Sequence, residues 1–559
     1  MAIPAGSKGY FRPLATQPKH HSIAMFSPLL TPRADRRRFL IASSLATAVG
    51  ALPAWARAGE ALAHDPFTLG IASGDPQPDN ILIWTRLSAP PAYLGSDIAP
   101  ELAPQTVYWE VAHDEQFRQP VAQGRSMALP EHGHALHIQV NGLSPDRWYF
   151  YRFRCGDAFS TTGRCRTSPA AGSSAQKLRM AVASCQRWEH GFYTAWADAA
   201  QAAPDLVLFL GDYIYEYAQP AKSEGLARPQ PLRTARTLQD YRDRYALHKS
   251  DAHLQAAHAA CNWSVIWDDH EVENDYASQY GRGEPAHFLA RRNAAWQAFY
   301  ENMPLRANAL QRGSQGLALY RSLQWGNLAR LHLLDGRQYR DLQACRPEGK
   351  ASTGTVDPKE CAALHDPGRS FLGWEQERWL CRQLQADAGS ASHAPQWSTL
   401  VQTTLFAARK HPSGKQSTDS WDGYPEARQR LVRQISESRP RNSVLLGGDI
   451  HQNYVCNIPA LSDEAPGQRN PVVASEFCGT SISSHSGTSQ TKADAIVQNS
   501  PQVTYARCDE RGYSLVEITP RQMTTELRAV TDPLKADSSV YTLARFAVED
   551  RKPGPIRIG

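Results

Sequence analysis

The chain has 559 residues, 42% of them hydrophobic and 14 of them Trp, which is longer than one ordinary domain and enough to build a large core. Its net charge of +5 is uneven: the first 58 residues carry eight Lys or Arg against the single acid Asp35, leaving 52 basic and 54 acidic residues in the body. That near-neutral body excludes the broad basic surface of a nucleic-acid-binding protein.

Residues 1–58 read as an export signal. Arg36-Arg37-Arg38-Phe39-Leu40 precedes a short apolar stretch, Ile41 to Pro53, and Ala54-Trp55-Ala56-Arg57-Ala58 offers small-x-small cleavage sites. Two Arg, a spacer, Phe and Leu form the twin-arginine pattern, with Asp35 where Ser or Thr is more usual. The apolar stretch is shorter than the roughly 20 residues a bilayer span needs, so no transmembrane anchor is expected. This leader implies the twin-arginine export machinery as a partner, folding before export, and a periplasmic or extracellular destination, with Met1 or Met25 as the start. Ten cysteines in an exported chain point to disulfides. Cys155 with Cys165, and Cys345 with Cys361, are the candidate pairs, while Cys261 or Cys456 is expected to be free and buried.

Residues 59–170 carry short alternating strands and no helix: ILIWTRL, TVYWEVAHD, HALHIQV and WYFYRFRC, separated by Pro, Gly and Asp clusters. That spacing predicts an N-terminal β-sandwich. Leu143-Ser144-Pro145-Asp146-Arg147-Trp148-Tyr149 resembles the tyrosine corner of fibronectin type III domains, and His132, His134 and His137 read as a surface hairpin. TSPAAGSSAQK (167–177) is a linker by composition.

From residue 178 to 559 apolar strands alternate with helical patterns, which predicts an α/β catalytic domain. Helices are expected over Gly191–Ala203, Leu238–Ala259, Phe288–Glu301, Gly373–Leu384 and Ala427–Ser436. YSLVEITP and MTTELRAV should form a hairpin, and the tail from Asp537 is expected to fold back over the site.

Four strands in this half end abruptly in metal-competent residues: MAVASCQRWEH, LVLFLGDYIYEY, WSVIWDDHEVEND and SVLLGGDIHQNY. Ligands bind at the C-terminal edges of such strands. Asp212, with Gly211 removing bulk beside it, is the candidate bridge between two cations. Asp449 and His451, two apart, should project from one face of an extended strand end. Of the adjacent Asp268 and Asp269, only one can easily reach the metals. A Cys185 thiolate and a Tyr215 phenolate with carboxylate and imidazole suit Fe(III) better than Mg or Ca; Tyr213 is the competing phenol, with core packing its expected role.

VASCQRWEHGFYTAW, LGDYIYEY, WDDHEVENDYA, FYENMPLR, LDGRQYRD and GGDIHQNYV resemble the PhoD-type alkaline phosphatases of the metallophosphatase superfamily, from about Phe67 to the C-terminus. The resemblance implies a β-sandwich followed by a four-layer αββα metallophosphatase fold, an Fe3+ and Ca2+ centre, and hydrolysis of phosphate monoesters and often diesters. It implies iron on Cys185, Asp212, Tyr215 and His451, and calcium on Asp212, Asp449 and either Asp269 or Asn274, since this chain has Asp268-Asp269-His270 where most of the superfamily has Gly-Asn-His. His270 is a candidate proton donor to the leaving group or a hydrogen-bonding support, and Arg306 and Arg337 are candidates to grip phosphate bidentately. The expected reaction is in-line attack by a hydroxide or oxide held on the metals, without a covalent phospho-enzyme, in a monomer. The rival readings are a phosphodiesterase of phospholipase D-like action with little monoesterase activity, and a non-catalytic phosphate-binding or adhesion protein.

Overall fold

The computed structural model describes residues 61–89, 94–96, 102–221, 224–310, 316–348, 350, 352–389, 393–460 and 470–559. The leader, with Arg36 and Arg37, lies outside them. Among the described residues no helix is long and apolar enough to cross a membrane.

The alternating N-terminal segments form β1 (Ile71–Gly74), β2 (Asn80–Arg86), β3 (Gln105–Ala112), β4 (Pro120–Ala128), β5 (Ala135–Asn141), β6 (Trp148–Cys155), β7 (Ala158–Phe159) and β8 (Gly163–Arg166). β9 (Leu178–Ala183), helix α1 (Thr194–Gln201), β10 (Leu206–Phe209), helices α2 (Leu238–Lys249) and α3 (Ala252–Ala260), and β11 (Asn262–Val265) follow as successive βαβ units. Then come α4 (Pro285–Asn302), the hairpin β12 (Arg321–Trp325) and β13 (Ala329–Leu333), the short β14 (Thr355–Val356), α5 (Trp374–Ala388), β15 (Trp397–Val401) and the short β16 (Gln416–Ser417). The chain continues with α6 (Pro425–Ser438), β17 (Ser443–Gly447), β18 (Asn453–Pro459), β19 (Val472–Cys478), α7 (Gln490–Asn499) and β20 (Val503–Arg507). It ends in β21 (Gly512–Ile518), β22 (Gln522–Val530), β23 (Val540–Glu549) and β24 (Lys552–Arg557).

Two large sheets result, in the orders β24-β23-β22-β21-β9-β10-β11-β1-β2-β5 and β12-β13-β15-β17-β19-β18-β20. Met180, Val182, Leu206 and Leu208 of the first share one core with Leu331, Leu333, Val444 and Leu446 of the second. Leu400 and Leu445, one residue out of phase with Val401 and Leu446, join a second core with Leu380 of α5 and Leu431 of α6. Strands buried on both faces need near-continuous apolar runs, which is what SVLLG and LVLF supply. The layering is helix, sheet, sheet, helix.

The N-terminal region differs from a self-contained sandwich. β3, β4, β6, β7 and β8 form a separate five-stranded sheet, but β1, β2 and β5 extend the ten-stranded one, β1 running parallel to β11 with Ser73 opposite Asn262. Ile83, Trp109, Ile138 and Tyr151 fill a core drawn from both sheets. Ser144 N–H donates to Tyr149 Oη (2.9 Å), the geometry of a tyrosine corner. His134 and His137 are buried rather than on a surface hairpin. His137 Nε2 bonds the carbonyls of Tyr300 (2.9 Å) and Met303 (3.0 Å), and Trp84 Nε1 donates to that of Glu301 (3.0 Å), so this region satisfies the open carbonyls at the end of α4.

Three further expectations are corrected. The predicted helix 238–259 is two helices, because the Asp251 carboxylate accepts the N–H groups of His253 and Leu254 and starts α3 anew. Cys155 and Cys165 are both free, since the register sets Cys165 opposite Tyr149 and Cys155 opposite Ala158; Cys345 and Cys361 do form a disulfide. The C-terminal tail does not fold over the site but supplies β23 and the edge strand β24.

Candidate metal centre

Each candidate ligand stands where a strand ends. Cys185, Asp212, Asp449 and His451 have φ of 60°, 59°, 66° and 55°, in the left-handed region that non-glycine residues seldom adopt. Such strain clusters at functional sites. Two glycines permit the close approach: a Cβ on Gly211 (φ 106°) would lie 2.5 Å from Asp268 N, and one on Gly448 would lie 2.5 Å from Ser184 Oγ. The first draws the ends of β10 and β11 together, and the second joins the edges of the two sheets. Backbone N–H groups of Cys185 and Gln186 donate to the carbonyls of Gly211 and Asp212, both at 3.0 Å, locking the first two loops.

Asp212 is the hub. Ligand atoms of Cys185, Asp212 and His451 lie within 4.8 Å of one another, and so do those of Asp212, Asp269 and His270. Tyr215 Oη donates to Asp212 Oδ2 (2.9 Å) and lies 3.1 Å from His451 Nε2. Ser484 Oγ lies 2.8 Å from both Tyr215 Oη and the Cys185 carbonyl, while His451 Nδ1 bonds the His485 carbonyl (2.7 Å). Asp449 Oδ2 accepts from Thr404 Oγ1 (2.6 Å). Tyr213 turns away from this cluster, its Oη on His258 (2.8 Å) in the core.

The crowding of buried acids suits a cation. Burial raises the pKa of Asp212, Asp269 and Asp449, and neighbouring carboxylates add to it. Burial and the Asp212 charge raise the Cys185 thiol likewise. Burial, with Arg511, pushes His451 down to about 3, leaving the neutral imidazole that metal binding needs. The chain thus holds one mixed set of thiol, phenol, carboxylate and imidazole beside a carboxylate-rich set, and these donors fit a soft and a hard position sharing Asp212.

The other predicted residues divide. His270 joins the site, its Nδ1 on Glu216 Oε2 (2.7 Å) and its ring 4.2 Å from that of Tyr215. Against the burial that opposes its charge, Glu216, Asp269 and Asp212 raise its pKa well above the ordinary imidazole range. Asn274 is half-buried and gives its backbone N–H to Glu216 (3.0 Å); it is Asp269 that meets Asp212. Arg337 does not present a free guanidinium: it binds both oxygens of Asp268 (2.6 and 2.9 Å) and both of Asp419 (2.8 and 2.8 Å). Arg306 is placed elsewhere, its guanidinium on the Asp75 carbonyl (3.2 and 2.5 Å) after β1.

Sequence reasoning missed a third acidic group, Asp269, Asp275 and Asp419, whose oxygens also lie within 4.8 Å of one another. Ser352, inside the disulfide-closed loop, donates to Asp275 Oδ2 (2.5 Å), and burial pushes Asp275 up to about 6. It also missed Glu216 and Ser484; Glu216 follows Asp212 by four, which was a readable hint.

The family model described as PhoD-like phosphatase matches residues 180–527, and that of the PhoD-like phosphatase N-terminal domain matches 54–169. The chain is 38% identical to alkaline phosphatase D of Bacillus subtilis strain 168 over 540 residues, 93% of this chain and 88% of the relative. The chain belongs to the PhoD-like phosphatase family. Like other PhoD-like phosphatases it is a phosphoric ester hydrolase of metallophosphatase fold. A solved structure titled as that of PhoD superposes with a TM-score of 0.81 at 38% identity, covering 89% of this chain and 93% of that one.

Proposed function

We propose that this PhoD-like phosphatase is an exported alkaline phosphatase that hydrolyses phosphate monoesters at an Fe3+ and Ca2+ centre. The observation that carries this reading is the pair of donor sets meeting at Asp212. Cys185, Asp212, Tyr215 and His451 would hold iron; Asp212, Asp269 and Asp449, with Asn274 alongside, would hold calcium. The all-oxygen group of Asp269, Asp275 and Asp419 suits a second hard cation. When bound, the ions supply the nucleophilic oxygen and neutralise the phosphoryl charge.

The chain's own residues do the rest. Tyr215, Ser484 and the strained loops fix the donors before substrate arrives. His270, oriented through Nδ1 by Glu216, would have Nε2 left for protonating the departing alkoxide. The basic leader supports export, and Arg36→Lys with Arg37→Lys should leave the precursor in the cytoplasm.

The test is metal analysis of the mature protein with turnover of a chromogenic monoester and diester, with and without calcium. One iron per chain, visible absorbance and calcium-dependent monoester hydrolysis are expected. A colourless, iron-free protein active with zinc alone would refute the iron assignment; no turnover of either ester by folded, metal-loaded protein would refute the hydrolase.

A further inference from the structure

The centre needs a cation to hold the substrate's phosphate, and its arginines are mostly committed. Arg337 is bound to two carboxylates. Arg511 gives Nη1 to the His451 carbonyl (3.1 Å), Thr480 Oγ1 (3.0 Å) and the Glu510 carbonyl (2.5 Å), and Nη2 to the Cys508 carbonyl (3.0 Å).

Arg187 differs. It stands two residues after Cys185, its N–H donating to Ser484 Oγ (3.1 Å) and its carbonyl accepting from Ser483 Oγ (2.7 Å). Ser484 is the residue that also touches Tyr215 Oη, so one side chain ties Arg187 to the candidate iron ligands. Arg187 Nε donates to the buried Glu189 (2.7 Å), which fixes the plane of the guanidinium. Its Cζ lies 5.6 Å from the ring centre of Tyr215 and 5.7 Å from that of Tyr217. Nη1 and Nη2 bond to no described residue, and the side chain keeps 16% exposure. His190 and His485 stack beside it with ring centres 4.0 Å apart, and the His485 carbonyl meets His451 Nδ1 (2.7 Å). A guanidinium anchored at its stem with a free fork is preorganised for an oxyanion.

We propose that Arg187 holds the phosphate, donating its Nη groups to a non-bridging oxygen, and that it selects monoesters over diesters. This rests on the phosphatase reading above. A monoester dianion shares two charges over three non-bridging oxygens; the ions the site would hold would neutralise part of that charge, and an oxygen would remain for Arg187. In a diester that position carries the second ester group, and no charge is left for the fork to meet.

The test compares Arg187→Gln and Arg187→Lys with wild type, each checked for metal content and visible absorbance. A charge-assisted pair of this kind corresponds to about 10- to 100-fold. R187Q should therefore lose about that factor in monoester kcat/KM and weaken competitive inhibition by inorganic phosphate comparably. Its diester kcat/KM should change less than about threefold, and R187K should regain part of the phosphate affinity. Equal losses on both esters, or unchanged phosphate inhibition, would overturn the proposal. If R187Q alone loses metal, R187K decides: a retained monoester preference supports Arg187, and a preference lost with its metal intact overturns it. If wild type turns over neither ester, the hydrolase reading fails separately, and calorimetric binding of inorganic phosphate to wild type and R187Q still decides the role of Arg187.

Discussion

Arg337 offers the sharpest division between a structural and a substrate-binding arginine. Its side chain is 2% exposed and bridges Asp268, 1% exposed, and Asp419, which also accepts from Arg340 (2.7 Å) and Gln343 (2.7 Å). Arg337→Met removes four charge-assisted bonds at once and leaves Asp268 buried without its counter-charge. Breaking a buried pair by removing one partner costs about 3–5 kcal/mol. Arg340 and Gln343 still serve Asp419, so the lower half of that range is expected. Arg337→Lys keeps the charge but cannot fork to two carboxylates, and about 1–2 kcal/mol should be lost. Urea denaturation at saturating calcium measures both. A variant with wild-type stability whose only defect is a raised inhibition constant for inorganic phosphate would refute the reasoning and return Arg337 to the substrate.

Lys249, buried against the face of Trp84 (4.3 Å), has its pKa lowered by burial and Arg86 to about 7. Between there and its ordinary value the unfolded chain holds a proton that the folded chain lacks, so stability should rise with pH from about 7 to 10 by up to about 5 kcal/mol. Lys249→Met should flatten that rise, measured as the difference between the two stability-versus-pH curves; parallel curves would contradict it. Replacing Cys345 and Cys361 by Ser opens a 16-residue loop and should cost about 3 kcal/mol. Because Ser352 in that loop reaches Asp275, calcium affinity read by titration should fall too. Glu216→Gln should lower kcat for esters with poor leaving groups by about 100-fold while sparing those with good ones, since only the former need His270 as acid; equal losses would make Glu216 merely structural. Chelation should lower the thermal midpoint, because Asp212, Asp269 and Asp449 then repel in a buried space.

Much of this was legible because burial writes itself into sequence. Runs such as LVLFL and SVLLG declared two-faced strands, and the acids that follow them pointed to the edge where the candidate ligands gather. Where the reading failed, the deciding fact was pairing between distant segments. Nothing in ILIWTRL or HALHIQV reveals that the strands closing the expected sandwich also extend a ten-stranded sheet, since either role gives the same alternation. Arg306 and Arg337 were equally opaque: a guanidinium suits phosphate and carboxylate for the same reason, and only the fold set Asp268 and Asp419 around one and the Asp75 carbonyl beside the other. Glu216 was hidden between two tyrosines, its purpose visible only once His270 lay 2.7 Å away.

Asp449 and His451 show how the backbone can depart from the geometry a spacing suggests. Two residues apart on an extended strand would share a face, yet β17 ends at Gly447 and both residues are left-handed. The loop turns tightly here, which Gly448 permits by lying against Ser184: His451 meets Cys185 and Asp212, while Asp449 accepts from Thr404. Cys185 and Asp212 share that backbone conformation in their own loops. Residues in such conformations cost on the order of 1–3 kcal/mol each, and the crowded carboxylates add to it. The loops therefore hold an arrangement that is unfavourable without cations, and ion binding offsets both strain and repulsion. A chain built this way gains stability from bound ions as well as chemistry, which is a physical reason for the folding before export proposed above.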